Sequence, residues 1–257
     1  MTEADPSSPA DPVDLARRLS APPKLKRFYS LAETVLEGGL YVLRLDGKRA
    51  MSPGRNPIAV SDADVAGAIA AEWAGQGEYI DPSAMPVTRL VNSAIDGVSA
   101  HMAEVRDSVL AYAATDLLHY RAGEPAGLVE RQRAVWDPLL AGAERRFAGR
   151  FILAEGVMHV VQPERTLAAI RAELQTYDDA LRLAGLHLAT TLSGSALIAL
   201  ALAAGEIGVE AAWAAAHVDE DWNISQWGED AEAMDRRAQR FADFRAAALV
   251  LGQNAGG

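Results

Sequence analysis

Carboxylates and histidines are the residues best equipped for chemistry in this chain, and their spacing decides what they could do. The five histidines stand at 101, 119, 159, 187 and 217. His101 and Glu104 are three residues apart and His217 and Asp221 four apart, so on a helix each pair would put two metal-ligand types on one face. Two ligands fall short of a metal site, and no H-E-x-x-H motif accompanies them. With no cysteine, the chain has no disulfide, thiol nucleophile or cysteine zinc site, a usage that fits a reducing compartment. Ser193-Gly194-Ser195 lies inside an apolar helical stretch and lacks the strand-turn-helix setting of a nucleophile elbow. Neither G-x-G-x-x-G after a strand nor G-x-x-x-x-G-K-[ST] is present, so no phosphate cradle of either kind is readable. Neither a metal, a nucleotide nor any other cofactor is expected. Carboxylates are abundant enough to leave one catalytic alternative open, an acidic α+β hydrolase whose site is assembled from residues distant in sequence.

The segment from His217 to Asp230, HVDEDWNISQWGED, joins five carboxylates to two tryptophans. One reading is a helix end with solvated acids and tryptophans that plug the core. The other is a binding edge, because tryptophan combines a large contact area with a polar N–H and is enriched where protein interfaces hold most tightly. If 217–227 is helical, Asp219 and Trp222 are an i,i+3 pair and Glu220 and Trp227 an i,i+7 pair, so acids and rings share a face. Asp219, Glu220, Asp221, Trp222 and Trp227 are therefore the candidate partner-binding set. Thr88, Arg89, Asn92 and Asp96 form a second, structural polar set on the helix expected from Pro86, suited to capping and to hydrogen bonds between parts of the fold.

Thirty-five acidic against 24 basic residues give a formal net charge of -11, the wrong sign for binding a phosphate backbone, so nucleic acid is not an expected partner. The first twenty residues have neither an apolar run after a basic start nor the Arg-rich, acid-poor character of a transit peptide. Residues 1–23 read as a flexible lead-in rich in Pro, Ser and Asp. The apolar run 196–204 would rise only about 14 Å as a helix, whereas a bilayer core needs roughly 30 Å, so a buried helix is expected rather than membrane insertion.

These residues must be positioned by two kinds of element. From Arg27 to Val60 the pattern is short and β-like, and Asp46-Gly47 between two such runs signals a hairpin. At Ser61 the hydrophobic period changes from two to about 3.6, with Ser61 or Asp62 as cap and Gly77 as the end of the helix. Further helices are expected from Pro86 onward, then over 102–113, 128–147, 163–176, 179–204, 209–217 and 230–251, with 151–161 the one stretch suited to extended structure. The fold class is α+β, a small N-terminal antiparallel β domain followed by a larger mainly α-helical domain. The expected divisions are 1–23 as lead-in, 24–85 as the β-rich domain with a junction helix, and 86–257 as the helical domain.

Several stretches, in order along nearly the whole ordered length, carry a family resemblance. They are KRFY at 26–29, LDGK at 45–48, the Pro53 to Pro57 loop, AAEWAGQGEYIDPSAMPVTRLVNSAIDGV at 70–98, ATDLLHYRA at 114–122, AVWDPLL at 134–140, TTLSGSALIALAL at 190–202 and DEDWNISQWGED at 219–230. The chain resembles the ATP synthase F(1) α-subunit assembly chaperone family of mitochondria and α-proteobacteria. Departures are small: His119 stands where relatives often have cysteine and Asn223 where they often have glutamine. The resemblance implies the same β-then-helical fold and a non-enzymatic protein without a cofactor, whose partner is the unassembled α subunit, given up when the β subunit joins. Together with the lack of a presequence pattern it implies a bacterial member working in the cytoplasm, and a free monomer is expected because the partner is a different chain.

Overall fold

The computed structural model of the chain describes residues 25–156 and 158–253, so the expected lead-in over 1–23 lies outside the described residues. Strands β1 (Ala32–Glu37) and β2 (Leu40–Leu45) form an antiparallel hairpin in which Glu37 faces Leu40 and Leu36 faces Tyr41. The chain turns back immediately at Asp46-Gly47 into β3 (Lys48–Arg49), with φ of 47° and 77° at the two turn residues. Both are left-handed, as a two-residue hairpin turn requires, and the Asp46 carboxylate accepts the N–H groups of Ser30 and Leu31 to hold the turn in place. β4 (Ala59–Val60) pairs with the first half of β2, which becomes the central strand and carries the buried Val42, Leu43 and Leu45.

Helix α1 (Ala63–Ala74) follows the change of period and buries Val65, Ala66 and Ile69, packing against β1 and β2. Asp62 is its cap, accepting the N–H groups of Asp64 and Val65. The helix ends at Gly75 rather than at Gly77. Gln76 explains the early stop: its buried amide donates to the Glu72 carbonyl and accepts the Asp81 N–H, which turns the chain away from the helix axis.

The remaining helices are α2 (Pro86–Asp96), α3 (Met102–Ala114), α4 (Ala126–Arg146), α5 (Glu164–Leu174), α6 (Ala180–Ser193), α7 (Ala196–Ala203), α8 (Val209–Ala216), α9 (Val218–Trp227) and α10 (Ala231–Val250). α6 is central, packed on α2, α3, α7 and α10. The single helix expected over 179–204 is broken in two. Gly194 adopts φ 68°, Ser195 caps α7 by accepting the Ile198 N–H, and the Ser195 hydroxyl donates to Asp116 at 2.6 Å. Asp116 also accepts the N–H groups of Leu197 and Leu118, so one buried carboxylate ties the start of α7 to the short 117–119 turn that follows Asp116. Among the described residues of the 151–161 stretch, Ala154–Glu155 form β6, paired in parallel with β5 (Tyr120–Arg121).

Residues 196–202 of α7 are all buried, and no helix among the described residues is long and apolar enough to cross a membrane. One hydrophobic core runs from Leu43 and Ile58 under the sheet through Ile69 and Val91 to Ile198, Leu200 and Phe244. The arrangement is α+β, strands first and helices afterwards.

Candidate functional site

Helix α9 carries the acidic-aromatic segment. Its first turn holds Asp219, Glu220 and Asp221, where carboxylates complement the positive end of the helix dipole. It stops at Gly228, whose φ of 89° no other residue type adopts as readily, and Asp230 then caps α10 through the Ala233 N–H.

The side chains of α9 divide between those held by the fold and those left to solvent. Asp219 accepts the Gln132 side-chain N–H at 2.7 Å, and the other end of that amide accepts the backbone N–H of Ala122. Gln132 is almost wholly buried, so it ties α9 to α4 and to the residue after β5. Trp222, half-buried, lies so close over Gly127 of α4 that a Cβ there would come within 2.7 Å of the ring, and the Arg131 guanidinium sits 5.5 Å from its centroid. Asp221 pairs with Arg237 of α10. Glu220 reaches only the edge of His217, at 3.8 Å, and its side chain is 42% exposed. Trp227 is 87% exposed. Of the five predicted residues, three anchor the helix and two, Glu220 and Trp227 at i,i+7, stay exposed.

His217 does not join Asp221 in a ligand pair. Its Nδ1 donates to the Trp213 carbonyl at 2.8 Å and its ring lies 3.9 Å from the Trp213 ring. Burial lowers its pKa, with the nearby Arg237 and Arg240 acting in the same direction against the Trp213 carbonyl and Glu220. The imidazole is therefore neutral near pH 7. Among the described residues no three His, Cys, Asp or Glu side chains come together as a metal site would need. Ser193 and Ser195 are buried, the first donating to the Ala189 carbonyl and the second to Asp116 with no imidazole between them. That geometry is a helix junction, not a nucleophile waiting for a base.

The polar set on α2 does not converge on one place. The backbone N–H groups of Val87 and Thr88 are caught by the Glu72 carboxylate of α1 at 2.7 and 2.8 Å, which caps α2 from a neighbouring helix. Burial raises the pKa of Glu72 against those hydrogen bonds. Arg89 pairs with Asp243 of α10. Asn92 is half-buried, and its side-chain oxygen has no hydrogen-bond donor. Asp96 collects the Ser52 hydroxyl, the Gly54 N–H and the Asn56 amide, three groups of the loop between β3 and β4, and the Ser52 and Asn56 bonds hold its pKa down. Three of the four thus join elements of the fold. Glu72, Gln132 and Asp116, the acceptors and donors that do most of this joining, carry no signal in the sequence. Their most distant partners stand 16 to 87 residues away.

A helical bundle capped by a small antiparallel sheet, with an exposed tryptophan on an acidic helix, defines a class of α+β protein with a surface suited to protein contact. The chain belongs to the ATP12 chaperone family. The model of that family, described as ATP12 chaperone protein, matches residues 26–144. The crystal structure of Atp12 from Paracoccus denitrificans is 35% identical and superposes with a TM-score of 0.80, over 89% of this chain and 97% of that one. Atu1473 of Agrobacterium tumefaciens, described as a candidate chaperone, is 45% identical with a TM-score of 0.85, over 96% of this chain and 92% of that one. The mitochondrial protein atp12 of Schizosaccharomyces pombe is 25% identical over 228 residues, 83% of this chain and 78% of the relative.

Proposed function

We propose that the protein is a non-enzymatic assembly chaperone of the ATP synthase F(1) sector. It binds the unassembled α subunit, keeps it from aggregating and releases it to the β subunit. An unpartnered ring subunit exposes apolar surface that its neighbour would cover, and such surface aggregates. A protein that covers it must bind more weakly than the true neighbour, so the contact is moderate in size and displaceable. The observation that carries this reading, beside family membership, is the exposure of Trp227 on a helix whose other tryptophan is fixed on Gly127. Of the candidate partner-binding set Asp219, Glu220, Asp221, Trp222 and Trp227, Glu220 and Trp227 meet the α subunit, while the other three hold α9 in place. The setting is a bacterial cytoplasm and the free protein is a monomer.

Mixing the protein with unassembled α subunit and then adding β tests this directly. The α subunit is expected to stay soluble in the first step and to leave the chaperone in the second. A complex that survives an excess of β would make the protein a lasting subunit, and α subunit lost to the pellet would end the reading.

The division at residue 85 is proposed as a boundary between two units, the sheet with α1 and the helices from α2 onward, held together by Glu72 and Asp96. Protease cleavage confined to the connection 75–85, leaving two associated fragments, is the expected result.

A further inference from the structure

The two sides of the β1–β2 hairpin differ in how their backbone hydrogen-bonding groups are used. Asp46 donates its N–H to the Leu31 carbonyl at 2.9 Å, and this sets the phase of the ladder. With Ala32 opposite Leu45, Glu33, Val35 and Glu37 turn their N–H and C=O groups toward β2, while Ala32, Thr34 and Leu36 turn theirs away from it. On the far side of β2 the equivalent positions are taken: Leu43 donates to Ile58 and accepts from Ala50, Tyr41 faces Val60 of β4 and Leu45 faces Lys48 of β3. On the far side of β1, no strand among the described residues pairs with Ala32, Thr34 or Leu36.

This edge is six residues long, and its register with β2 runs one to one from Ala32–Leu45 to Glu37–Leu40 without a bulge. Strand edges are ordinarily protected by lysine, proline, a bulge or a covering segment. β1 has no lysine, arginine or proline, and of its two acids Glu37 is held by Arg44 and Arg49. Leu36 is 60% exposed beside Tyr41 on one face of the hairpin, and Val35 is 36% exposed beside Val42 on the other. The result is a straight edge of about 20 Å with apolar side chains on both faces.

We propose that the outer edge of β1 is a docking site that takes an extended, uncharged segment of a partner protein as an additional strand. The backbone of that segment pairs with Ala32, Thr34 and Leu36, and its aliphatic side chains lie against Leu36 and Val35. The edge itself fixes what covers it. Its N–H and C=O groups recur at alternate residues about 7 Å apart and are matched by extended backbone, whereas a helix spends those groups internally. A second copy of this chain is a poor occupant. The most extensive antiparallel registers put Glu33 opposite Glu33, opposite Glu37 or diagonally across from Glu33 of the other copy, on molecules that each carry a net charge of -11. Unassembled subunits leave strand edges and apolar segments unpaired, so a chaperone's client is a partner of the required kind. That identity rests on the chaperone reading, and the strand pairing does not.

The test uses the full chain and a fluorescein-labelled peptide of about ten residues that alternates valine with threonine between terminal lysines. A second peptide has the same side chains and charge but is N-methylated along its centre, so it has no donors to give. The plain peptide is expected to raise anisotropy on binding and the methylated one not to. Thr34→Pro removes an outward N–H that β2 does not use and is expected to weaken the peptide about tenfold, with Leu36→Lys weakening it several-fold. Leu36→Lys changes only an exposed side chain, so it keeps the fold even where Thr34→Pro disturbs the hairpin. Amide exchange locates the contact independently: Glu33, Val35 and Glu37 should exchange slowly throughout, and Ala32, Thr34 and Leu36 should become slow only with peptide. Equal binding of the methylated peptide, unchanged affinity in Leu36→Lys, or no slowing at Ala32, Thr34 and Leu36 would overturn the proposal. So would slow exchange at those three before peptide is added. Loss of that protection on dilution would give the edge to a second copy, and its loss on removal of residues 1–24 would give it to the chain's own first segment. None of these readouts involves the α subunit, so the strand pairing and the chaperone reading fail separately.

Discussion

Asp116 and Glu220 are both carboxylates near a helix start, and their surroundings set them to opposite tasks. Asp116 is fully buried between α3 and α7, accepts hydrogen bonds from Ser195, Leu197 and Leu118, and is lifted by burial to a pKa of about 6. Glu220 stands on α9 with 42% of its side chain exposed, its carboxylate 3.8 Å from His217 Nε2. At the first place an acid organises backbone that would otherwise be unsatisfied, and at the second it stays open to solvent. Between these extremes, Asp219 and Asp221 on α9 itself are spent on Gln132 and Arg237. Acidity along a segment is thus no measure of how much charge the segment offers to a partner.

The largest effect is expected at the buried end of the comparison. Asp116→Ala leaves the Ser195 hydroxyl and two backbone N–H groups without acceptors in a dry site, and should cost about 3 kcal/mol of stability or more. Urea unfolding of wild type and variant measures it. The pH dependence has a definite sign. Because the folded pKa of about 6 lies above the ordinary 3.8, the folded state binds the extra proton. The associated stabilisation is complete below about pH 4 and is lost as pH rises through about 6. Subtracting the profile of Asp116→Asn, which cannot titrate, should leave a difference that falls across that window, and a flat difference would mean that Asp116 is not held as the structure has it.

At the anchored side of α9 the expected loss is smaller. Trp222→Ala should cost about 2 kcal/mol, since the ring is half-buried. Gly127→Ala should reproduce much of that by displacing the ring from below, with a change in tryptophan fluorescence as the sign that Trp222 has moved. Gln132→Glu removes the donor to Asp219 and sets two carboxylates together, with an expected cost of about 1–2 kcal/mol and weaker client recovery through misplacement of α9. Gln132→Met, which keeps the volume, should separate the lost hydrogen bond from the repulsion.

How much of this was legible in the sequence follows from the range of the interactions. The Asp46-Gly47 turn, the change of period at Ser61 and the start at Pro86 are set by neighbours in sequence, and each stands where local chemistry put it. The break at Gly194 was hidden because α7 is apolar on every side, so no periodic face marks where one helix ends and the next begins. The sorting of the acidic segment was hidden for a different reason. Helix phase groups Glu220 with Trp227, but which face meets α4 depends on Gly127 and Gln132, some ninety residues upstream. Likewise, Arg89 and Asp96 stand out in the sequence as polar residues of one helix, while Asp243 and the 52–56 loop that they meet do not.

The smallest stability effect and the most informative binding effect are expected at Glu220 and Trp227. Both are exposed, so Glu220→Gln and Trp227→Ser should leave thermal unfolding within about 0.5 kcal/mol of wild type. A tryptophan at the centre of a protein contact commonly accounts for 2 kcal/mol or more, so Trp227→Ser should weaken capture of α subunit by about thirtyfold. Glu220→Gln should act mainly through encounter, weakening capture a few-fold at low salt and hardly at all at high salt, where screening already removes the charge. Asp219→Asn and Asp221→Asn give the control: each keeps the shape of its carboxylate but perturbs a bond that positions α9, so loss of capture there should come with a measurable loss of stability. If the two groups of variants behaved alike, α9 would not be divided into an anchored and an offered face. Normal capture by Glu220→Gln and Trp227→Ser, both well folded, would move the client contact elsewhere on the molecule while leaving membership of the family untouched.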